Sequence, residues 1–395
     1  MFGMSRPGRF LVAAYGPTLL VSFGFGAVVP LIALQARALG AGVGLAAFVA
    51  ALPGLGQLVG DLPAGAIADR FGERRALAGA CVLDALALAG AYFTTTVWAF
   101  ALLIVAHGLT GSVYGLARQS YLTEAVPLPW RARAMSTLGG VFRVGGLLGP
   151  LAGALITRHH ALAAAFLLAG AMSLVAGAVA LSIPDLPGTG RRESGAADHA
   201  TLWQILAAHR RTLLTLGIGL LALSLVRAAR QAIIPLWCNQ LGLDASTTSL
   251  LYSASMAMEV ALFLPGGALM DRRGRWWATV PTMVIMAAGF VLLPLTHAAG
   301  TVALVAAVLG LGNGLSSGVA STLGADLAPV EGRPQFLAGW RLFADIGTLL
   351  GPLVISLVSA LAVLAASSFV VAGIGVAGGW WLSVLLPKRG PAVVP

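Results

Sequence analysis

Charged side chains are scarce in this sequence of 395 residues: 10% are Asp, Glu, Lys or Arg, whereas 58% are hydrophobic. A soluble domain carries roughly 25% charged residues, which its water-facing surface requires. Lysine occurs once, at Lys388, and the two cysteines, Cys81 and Cys238, lie in apolar segments. Two isolated cysteines provide neither a disulfide framework nor a metal site, so we interpret them as packing residues and expect no cofactor. The composition excludes an ordinary soluble protein.

Apolar runs of about 20 residues recur instead from end to end, and each is long enough to cross a ~30 Å hydrocarbon layer. We predict twelve membrane spans, the third of them extended by a turn at one end. The polar stretch 184–211 is rich in charged and turn-forming residues, which predicts a linker between an N-terminal bundle (1–183) and a C-terminal bundle (212–395). The spans are placed at 10–33, 43–65, 76–93, 97–122, 134–156, 162–183, 212–237, 247–270, 277–296, 300–325, 336–360 and 362–386.

The net charge of +10 follows the predicted topology. If the N-terminus is cytoplasmic, 17 of the 24 basic residues lie in cytoplasmic loops and tails, and only Arg37 and Arg158 lie in outer loops. This distribution obeys the positive-inside rule and predicts a multi-pass protein of a bacterial inner membrane with both termini in the cytoplasm. The expected partners are the lipid bilayer, a small-molecule substrate and protons, with no nucleic acid. The chain is expected to function as a monomer.

The charged turn GAIADRFGERR (65–75) returns as GALMDRRGRWW (267–277), 202 residues later. The same offset aligns residues 39–153 with the second half without a gap. Two six-helix halves in the same orientation form the parallel repeat of a transporter built as two bundles around a central path. The predicted fold is therefore an all-α polytopic membrane protein, with twelve transmembrane helices in two six-helix bundles related by a parallel internal repeat.

These residues resemble the major facilitator superfamily over essentially the whole chain. The signature of that family between helices 2 and 3 reads Gly-x-Leu-x-Asp-Arg-x-Gly-Arg-Arg/Lys, from which Glu73 departs. The fifth span carries GGLLGPLAGA, which is similar to the antiporter signature of the drug:proton antiporter group. The matches are Gly65, Ile67, Asp69, Arg70, Gly72, Arg74 and Arg75 in the first turn, Gly267, Leu269, Asp271, Arg272, Gly274 and Arg275 in the second, and Gly145, Gly149, Pro150 and Gly153 in the fifth span.

The resemblance implies a secondary active transporter that works by alternating access, not an enzyme. It implies a proton-coupled exporter of small amphipathic or drug-like compounds, with the proton gradient as the energy source. Two departures leave the coupling open. His107 stands where the group shows an Arg, although Gly111 matches the Gly that follows four residues later, and the first span contains no acid. The alternative is a substrate-specific carrier, either a metabolite importer or a lipid or siderophore exporter, whose anionic substrate Arg227 and Arg230 would suit.

The family architecture implies a cytoplasmic gate at the two charged turns. Gly72 and Gly274 are expected to supply the backbone freedom of a tight reversal. Asp69 is expected to face the start of helix 11, where Arg341 adds an ion pair. Asp271 is expected to face the start of helix 5. In both cases the free N–H groups at the start of the helix favour an anion. The simpler alternative makes both turns orientation signals only. The gate comprises Gly65, Asp69, Arg70, Gly72, Arg74 and Glu124, with Arg70 and Arg74 reaching Glu124, and Gly267, Asp271, Arg272, Gly274, Arg275 and Arg341.

The glycines of the fifth span also have a direct physical interpretation. Gly145 and Gly149, with Gly153, form a small-residue face that lets two helices approach closely. Pro150 removes a backbone hydrogen bond and favours a kink. We interpret this segment as a hinge in an interface helix that bends or slides, although packing alone also explains these residues.

Ionisable residues within spans are functional hypotheses by default, because their burial is costly. Glu259 in the eighth span and Arg227 in the seventh lie at similar depth, so they are expected to meet or to be bridged by water or substrate. Glu259 is then either a carboxyl that exchanges a proton during transport or one half of a permanent ion pair. Arg230 is included among the same proton-coupling or substrate candidates.

A second group of charges lies in the fifth and eleventh spans. Arg143 and Asp345 occupy equivalent places in the repeat, each six residues before its Gly-Pro pair. They are expected either to pair with each other or to have separate partners. Arg341 and Asp345 are four residues apart and share a helix face, which favours an ion pair between them.

A third group lies in the third and fourth spans. Asp84 and Arg118 lie at comparable depth when measured from the cytoplasmic ends of their helices, so they are expected to neutralise one another. His107 is interpreted either as a proton relay, because histidine titrates near neutral pH, or as a hydrogen-bonded packing residue.

Overall fold

The computed structural model describes residues 7–182, 202–330 and 332–388. Within these ranges, twelve helical segments are long and apolar enough to cross a membrane, which confirms the predicted all-α fold and the number of spans. The helices are α1 (Pro7–Ala38), α2 (Val43–Phe71), α3 (Glu73–Phe93), α4 (Val97–Ala125), α5 (Leu128–His159), α6 (Ala164–Leu181), the short α7 (Leu202–Ala208) and α8 (Arg210–Thr212), α9 (Ile218–Gln240), α10 (Ala245–Arg273), α11 (Arg275–Leu292), α12 (Ala299–Leu315), α13 (Val319–Leu327), α14 (Arg333–Leu361) and α15 (Leu364–Leu385).

The charged turns are reversals of one residue between two long helices. Gly72 alone separates α2 from α3 and has a φ of 80°, and Gly274 alone separates α10 from α11 and has a φ of 98°. A positive φ of this size is sterically easy only for glycine. Because the reversal is so short, α3 begins three residues earlier than the hydropathy of its span indicates.

The tenth span differs from the continuous helix that the sequence predicts at 300–325. α12 ends at Leu315, and α13 begins after Gly318, whose φ is 93°. The hydroxyl groups of Ser316 and Ser317 donate to the carbonyl oxygen of Asn313 at 3.2 and 3.3 Å, and such bonds compete with those of a helix. The corresponding helix of the first half, α4, has no such break. The interruption therefore belongs to the second half alone.

The described helices divide into two compact units. The first contains α1, α2 from Leu52 onward, α3 to α6, and Ala245–Ser253 of α10. The second contains Gly42–Ala51 of α2, α7 to α9, α10 from Ala254 onward, and α11 to α15. The bundle boundaries at 183 and 212 stay a prediction, and residues 184–201 of the predicted linker lie outside the described residues.

In the first unit, the glycines of α5 bring its backbone directly against α1. A Cβ atom at Gly149 would lie 2.2 Å from the carbonyl oxygen of Phe23, and one at Gly153 would lie 2.9 Å from that of Ala27. Real Cβ atoms essentially never approach so closely, so only glycine fits. The small-residue face is thus a packing surface within the unit, and its role as a hinge stays a prediction.

The second unit contains the matching seam between α14 and α9. A Cβ atom at Gly351 would lie 2.5 Å from the carbonyl oxygen of Leu225, and one at Gly347 would lie 2.4 Å from that of Leu221. The internal repeat therefore preserves this close helix pair in both halves. The two cysteines are free and buried, in agreement with their interpretation as packing residues.

Candidate functional site

A buried carboxylate in the second unit lies within a polar network. Glu259 is midway along α10 and 8% exposed, and its Oε2 atom accepts a hydrogen bond from Nη2 of Arg230 at 2.9 Å. Arg230 on α9 is 1% exposed, and its Nη1 atom donates to Oγ of Ser255 at 2.5 Å. Ser255 and Glu259 are four residues apart and share one face of α10. This face therefore presents two acceptors to a single guanidinium group.

Asn313, near the end of α12, connects a second arginine to the same carboxylate. Its Nδ2 atom donates to Oε2 of Glu259 at 2.5 Å, and its Oδ1 atom accepts from Nε of Arg227 at 2.5 Å. The sequence analysis pairs Glu259 with Arg227, either directly or through water or substrate. In the structure the direct ion pair is with Arg230, because this arginine faces α10, and a protein side chain forms the bridge to Arg227.

Two glycines of α12 hold the network together. A Cβ atom at Gly310 would lie 2.0 Å from the carbonyl oxygen of Ser255, and one at Gly314 would lie 2.8 Å from that of Glu259. The backbone of α12 therefore touches α10 at the two residues that carry the acceptors. This contact places Asn313 within reach of the carboxylate, immediately before the helix is interrupted.

The network contains two guanidinium groups and one carboxylate. If Glu259 lost its charge by protonation, the buried Arg230 would lose its ion pair with this carboxylate, and breaking a buried ion pair is energetically costly. An incoming anion can take the place of Glu259 as a partner of the arginines, and an incoming cation can compete with Arg230 for the carboxylate. The arrangement can therefore link a proton on Glu259 to the binding of a charged molecule.

In the first unit, Asp84 pairs with His107 and not with Arg118. Nδ1 of His107 lies 2.6 Å from Oδ1 of Asp84. Thr110 and Ser173 donate hydroxyl hydrogen bonds to the same carboxylate at 3.0 and 2.5 Å. The expected neutralisation of Asp84 by Arg118 is wrong, because Asp84 and His107 lie about equally far from the turn that joins α3 and α4. A proton-relay role for His107 stays a prediction.

At the first charged turn, the described residues form few of the expected gate contacts. Asp69 and Glu124 are exposed. The guanidinium carbon of Arg70 lies 5.6 Å from the centre of the Phe71 ring and not beside Glu124. The expected contact of Asp69 with the start of the eleventh membrane span, which is α14, stays a prediction.

The second charged turn carries a cluster of ion pairs. Nε of Arg275 donates to Oδ2 of Asp326 at 2.9 Å, and its Nη1 atom lies 3.8 Å from Oδ1 of Asp271. In the repeat Arg275 corresponds to Glu73, which accepts a hydrogen bond from the Ser120 hydroxyl at 3.2 Å. The two turns therefore carry opposite charges at this one position. The other predicted gate residues lie at the ends of the same helices: Gly65 in α2, Arg74 in α3, and Gly267 and Arg272 in α10.

The remaining candidates lie in α5 and α14. Nε of Arg341 is 3.4 Å from Oδ2 of Asp345, so the structure forms the ion pair that their spacing favours. Nη1 of Arg143 donates to the carbonyl oxygen of Gly139, one turn earlier in α5, at 3.1 Å. A pairing of Arg143 with Asp345 stays a prediction.

Sequence reasoning missed Asn313 and Ser255, because it considered only ionisable side chains within the spans. Two signals were available. Asn313 is the only amide side chain in the tenth predicted span, and Ser255 lies one helical turn before Glu259. Polar but uncharged residues on the face of a buried acid should therefore be counted with it.

Comparison with known proteins points to transport. The family model described as Major Facilitator Superfamily matches residues 17–352 and 216–394. An uncharacterized MFS-type transporter of Bacillus subtilis (strain 168), YhjO, is 25% identical over 296 residues, which cover 74% of this chain and 72% of that protein. Multidrug resistance protein MdtG of Escherichia fergusonii is 26% identical over 178 residues. This second alignment covers 44% of the chain and 43% of MdtG, less than half of either.

Solved structures share the architecture. The inward-open xylose transporter XylE from E. coli aligns with a TM-score of 0.72 at 14% identity, covering 96% of this chain and 97% of that one. A POT family transporter in complex with 5-aminolevulinic acid aligns with a TM-score of 0.75 at 12% identity, covering 95% and 96%. Identities this low establish the fold alone. Since the family model also matches nearly the whole sequence, this twelve-helix membrane protein belongs to the Major Facilitator Superfamily of transporters.

Proposed function

We propose that this chain is a proton-coupled exporter of small amphipathic or drug-like compounds, which works by alternating access in a bacterial inner membrane with both termini in the cytoplasm. The observation that carries the proposal is the buried Glu259, held by Arg230 and Asn313. Ionisable groups inside membrane spans are rare and mark proton and substrate pathways. Further support comes from the antiporter signature in α5 and from MdtG, which is named as a multidrug resistance protein.

The charge balance of the network supplies a coupling mechanism. With Glu259 ionised, its carboxylate neutralises Arg230 and binds α10 to α9 and α12. When Glu259 accepts a proton, its ion pair with Arg230 is lost and these contacts weaken. A proton and a cationic substrate that both compete for the carboxylate of Glu259 exclude one another, which is the requirement for antiport. Each 1.4 kcal/mol of this difference shifts the two-state equilibrium about tenfold.

The break after Asn313 supports the same location for the substrate. Interrupted helices recur at the binding sites of secondary transporters, because their freed backbone groups can contact a ligand. In this chain the interruption follows directly on the residue that bridges Glu259 and Arg227.

The test is dye efflux in everted vesicles, with a proton gradient imposed and then collapsed by an uncoupler. The native protein should move a lipophilic cation only while the gradient lasts, and Glu259→Gln should reduce this transport to background. Asp244→Asn is the matched control, since this exposed acid lies in the turn between α9 and α10, outside the network. Gradient-driven transport by Glu259→Gln at the native rate would place the coupling proton elsewhere.

A second candidate function is a substrate-specific carrier for an anionic compound. The observation in its favour is that the network joins two arginines, Arg230 directly and Arg227 through Asn313, to one carboxylate. If a broad dye panel is not transported, counterflow of labelled organic anions should be measured next. Anion counterflow that is lost in Arg227→Gln would support this function over drug export.

A further inference from the structure

Arg118 is a partly buried cation on α4, within a membrane span of the first unit. Its Nη1 atom donates to Oγ1 of Thr18 on α1 at 3.3 Å, and its guanidinium carbon lies 5.4 Å from the centre of the Tyr114 ring. Its Nε atom is buried and has no hydrogen-bond partner in the described part of the chain. The site therefore contains a charge and a donor that these neighbours do not balance.

The described acids of the first unit do not pair with this arginine. Residues 1–60 contain no Asp or Glu, so α1 cannot supply the missing charge. The acids that the structure describes in this unit either bind other groups or are exposed. Asp84 contacts His107, Glu73 accepts from Ser120, Asp61 accepts from Ser112, and Asp69 and Glu124 are exposed.

The hydroxyl group of Tyr114 indicates the same missing ligand. Tyr114 is 5% exposed and lies in a core made largely of alanine side chains. Its hydroxyl oxygen is buried close to the side chains of Thr18 and Arg118, but neither contact meets the distance and angle limits of a hydrogen bond, and no other described residue supplies one. Such an unsatisfied buried group is rare and requires an explanation. Water would satisfy the hydroxyl but leave the guanidinium charge unbalanced. An oxyanion would accept a hydrogen bond from the hydroxyl and also neutralise the guanidinium charge.

The internal repeat shows that the fold does not require these residues. With the offset of 202, Tyr114 corresponds to Ser316 and Arg118 to Ala320, in and just after the interruption between α12 and α13. The second half thus has neither a cation nor a phenol at these positions, and one of them, Ser316, lies in its break between helices. The arrangement is particular to the first half, which favours a role in binding over a role in packing.

We propose that Arg118, Tyr114 and Thr18 form an oxyanion-binding site between α1 and α4, which takes a carboxylate or phosphate group. The guanidinium fork can bind two oxygen atoms at once, and the Tyr114 hydroxyl can donate to one of them. The Thr18 hydroxyl, which accepts from Arg118, still has its own proton to donate. The site goes beyond the proposed function, because it is independent of the direction of transport and of proton coupling.

The direct test is thermal unfolding of the purified full-length protein in detergent, with benzoate and inorganic phosphate as the probes. Benzoate should raise the unfolding midpoint of the native protein in a concentration-dependent way, whereas neutral benzamide should not. The shift should disappear in Arg118→Gln. In Tyr114→Phe the apparent affinity should fall about fivefold, the effect of one lost hydrogen bond. Arg158→Gln is the control, because Arg158 is an exposed arginine at the end of α5.

The unfolding midpoint without ligand gives a second readout, because replacing Arg118 should change it in opposite directions for a binding role and for a structural role. Arg118→Gln removes a buried charge that lacks a counter-ion, so it should raise the midpoint in buffer without the probes. An arginine that serves packing or an ion pair would lower it when replaced. A lower midpoint in Arg118→Gln, together with unchanged benzoate binding in Tyr114→Phe, would overturn the proposal.

Further experiments identify the source of the bound anion and the unit of the protein that binds it. Stabilisation in phosphatidylglycerol nanodiscs over phosphatidylcholine nanodiscs, dependent on Arg118 and without a benzoate shift, would assign the oxyanion to a lipid headgroup. A benzoate shift that survives Arg118→Gln but is lost in Arg227→Gln would place the anion in the second unit and refute the proposal. Benzoate binding through Arg118 in a protein that moves no dye would retain the site while contradicting drug export.

Discussion

The side chains of Glu259 and Arg230 depend on one another, because neither has enough water around it to replace the other. Arg230 is fully buried, and it donates hydrogen bonds to Glu259 and Ser255. Removing one partner of such a pair leaves an uncompensated charge, whereas replacing both by apolar residues of similar volume is often neutral. The stability of the second unit therefore reports directly on this ion pair.

We predict that Glu259→Leu and Arg230→Met each lower the free energy of unfolding by about 3–5 kcal/mol. The double variant should lose much less than the sum of the two, since no unpaired charge remains. Equilibrium unfolding in detergent measures all three variants. Ser255→Ala provides the scale, with an expected loss of about 1 kcal/mol for one hydrogen bond. Strictly additive effects would show that the two residues do not interact.

Asp84 illustrates why the residue pairs resisted prediction. The sequence gives the depth of each acid along its helix, but it gives neither the offset between neighbouring helices nor their rotation. Depth counted from the ends of the helices suggested Arg118 as the partner. Counted from the turn that joins α3 and α4, Asp84 and His107 lie at nearly the same distance along their helices. This count would have indicated His107 as the partner. Choosing the wrong reference point changed the partner.

The helices themselves were far more predictable, because a membrane span must satisfy its backbone internally and needs a minimum length. The number of spans and the position of the turns follow from hydropathy and from Gly72 and Gly274. The interruption after Asn313 does not, since the segment 300–325 contains no charged residue and no proline to mark it. Hydropathy counts side chains, whereas the break arises from serine hydroxyls that compete for backbone carbonyl groups.

The glycine seam between α5 and α1 leads to a prediction with a matched control in the same helix. In Gly149→Ala, the new methyl group meets the α1 backbone, so the free energy of unfolding should fall by about 1–3 kcal/mol. A Cβ atom at Gly140 meets nothing within 4 Å, so Gly140→Ala should be neutral or stabilise by about 0.5–1 kcal/mol. The two variants are compared by unfolding in detergent. Equal effects would mean that the seam is not tightly packed.

The whole molecule repeats its helices but not its chemistry. Under the offset of 202, Glu259 corresponds to Gln57, Arg227 to Phe25 and Arg230 to Val28. The two halves thus share a path of the backbone, while the buried polar groups lie at different positions in each. A fold is a scaffold on which sites are placed, and here each half carries its own.

The proposed orientation predicts how introduced cysteines react. The native thiols are free but buried, so the parent protein should give little background with a membrane-impermeant maleimide. Arg158→Cys, at the end of α5, should react in intact cells because it lies in a predicted outer loop. Arg273→Cys, beside the second charged turn, should react only in everted vesicles. The reverse pattern would place both termini outside.

The seams that join α1 to α5 and α9 to α14 have a mechanical consequence. Each seam sets backbone against backbone, with no flexible side chains between the helices that could change rotamer and absorb a shift. If α14 moved by one residue along α9, a bulkier neighbour would replace Gly351 against the same carbonyl oxygen. The two helices of the pair are therefore expected to move together as one rigid unit. If a change of charge at Arg230 displaces α9, we therefore expect α14 to move with it.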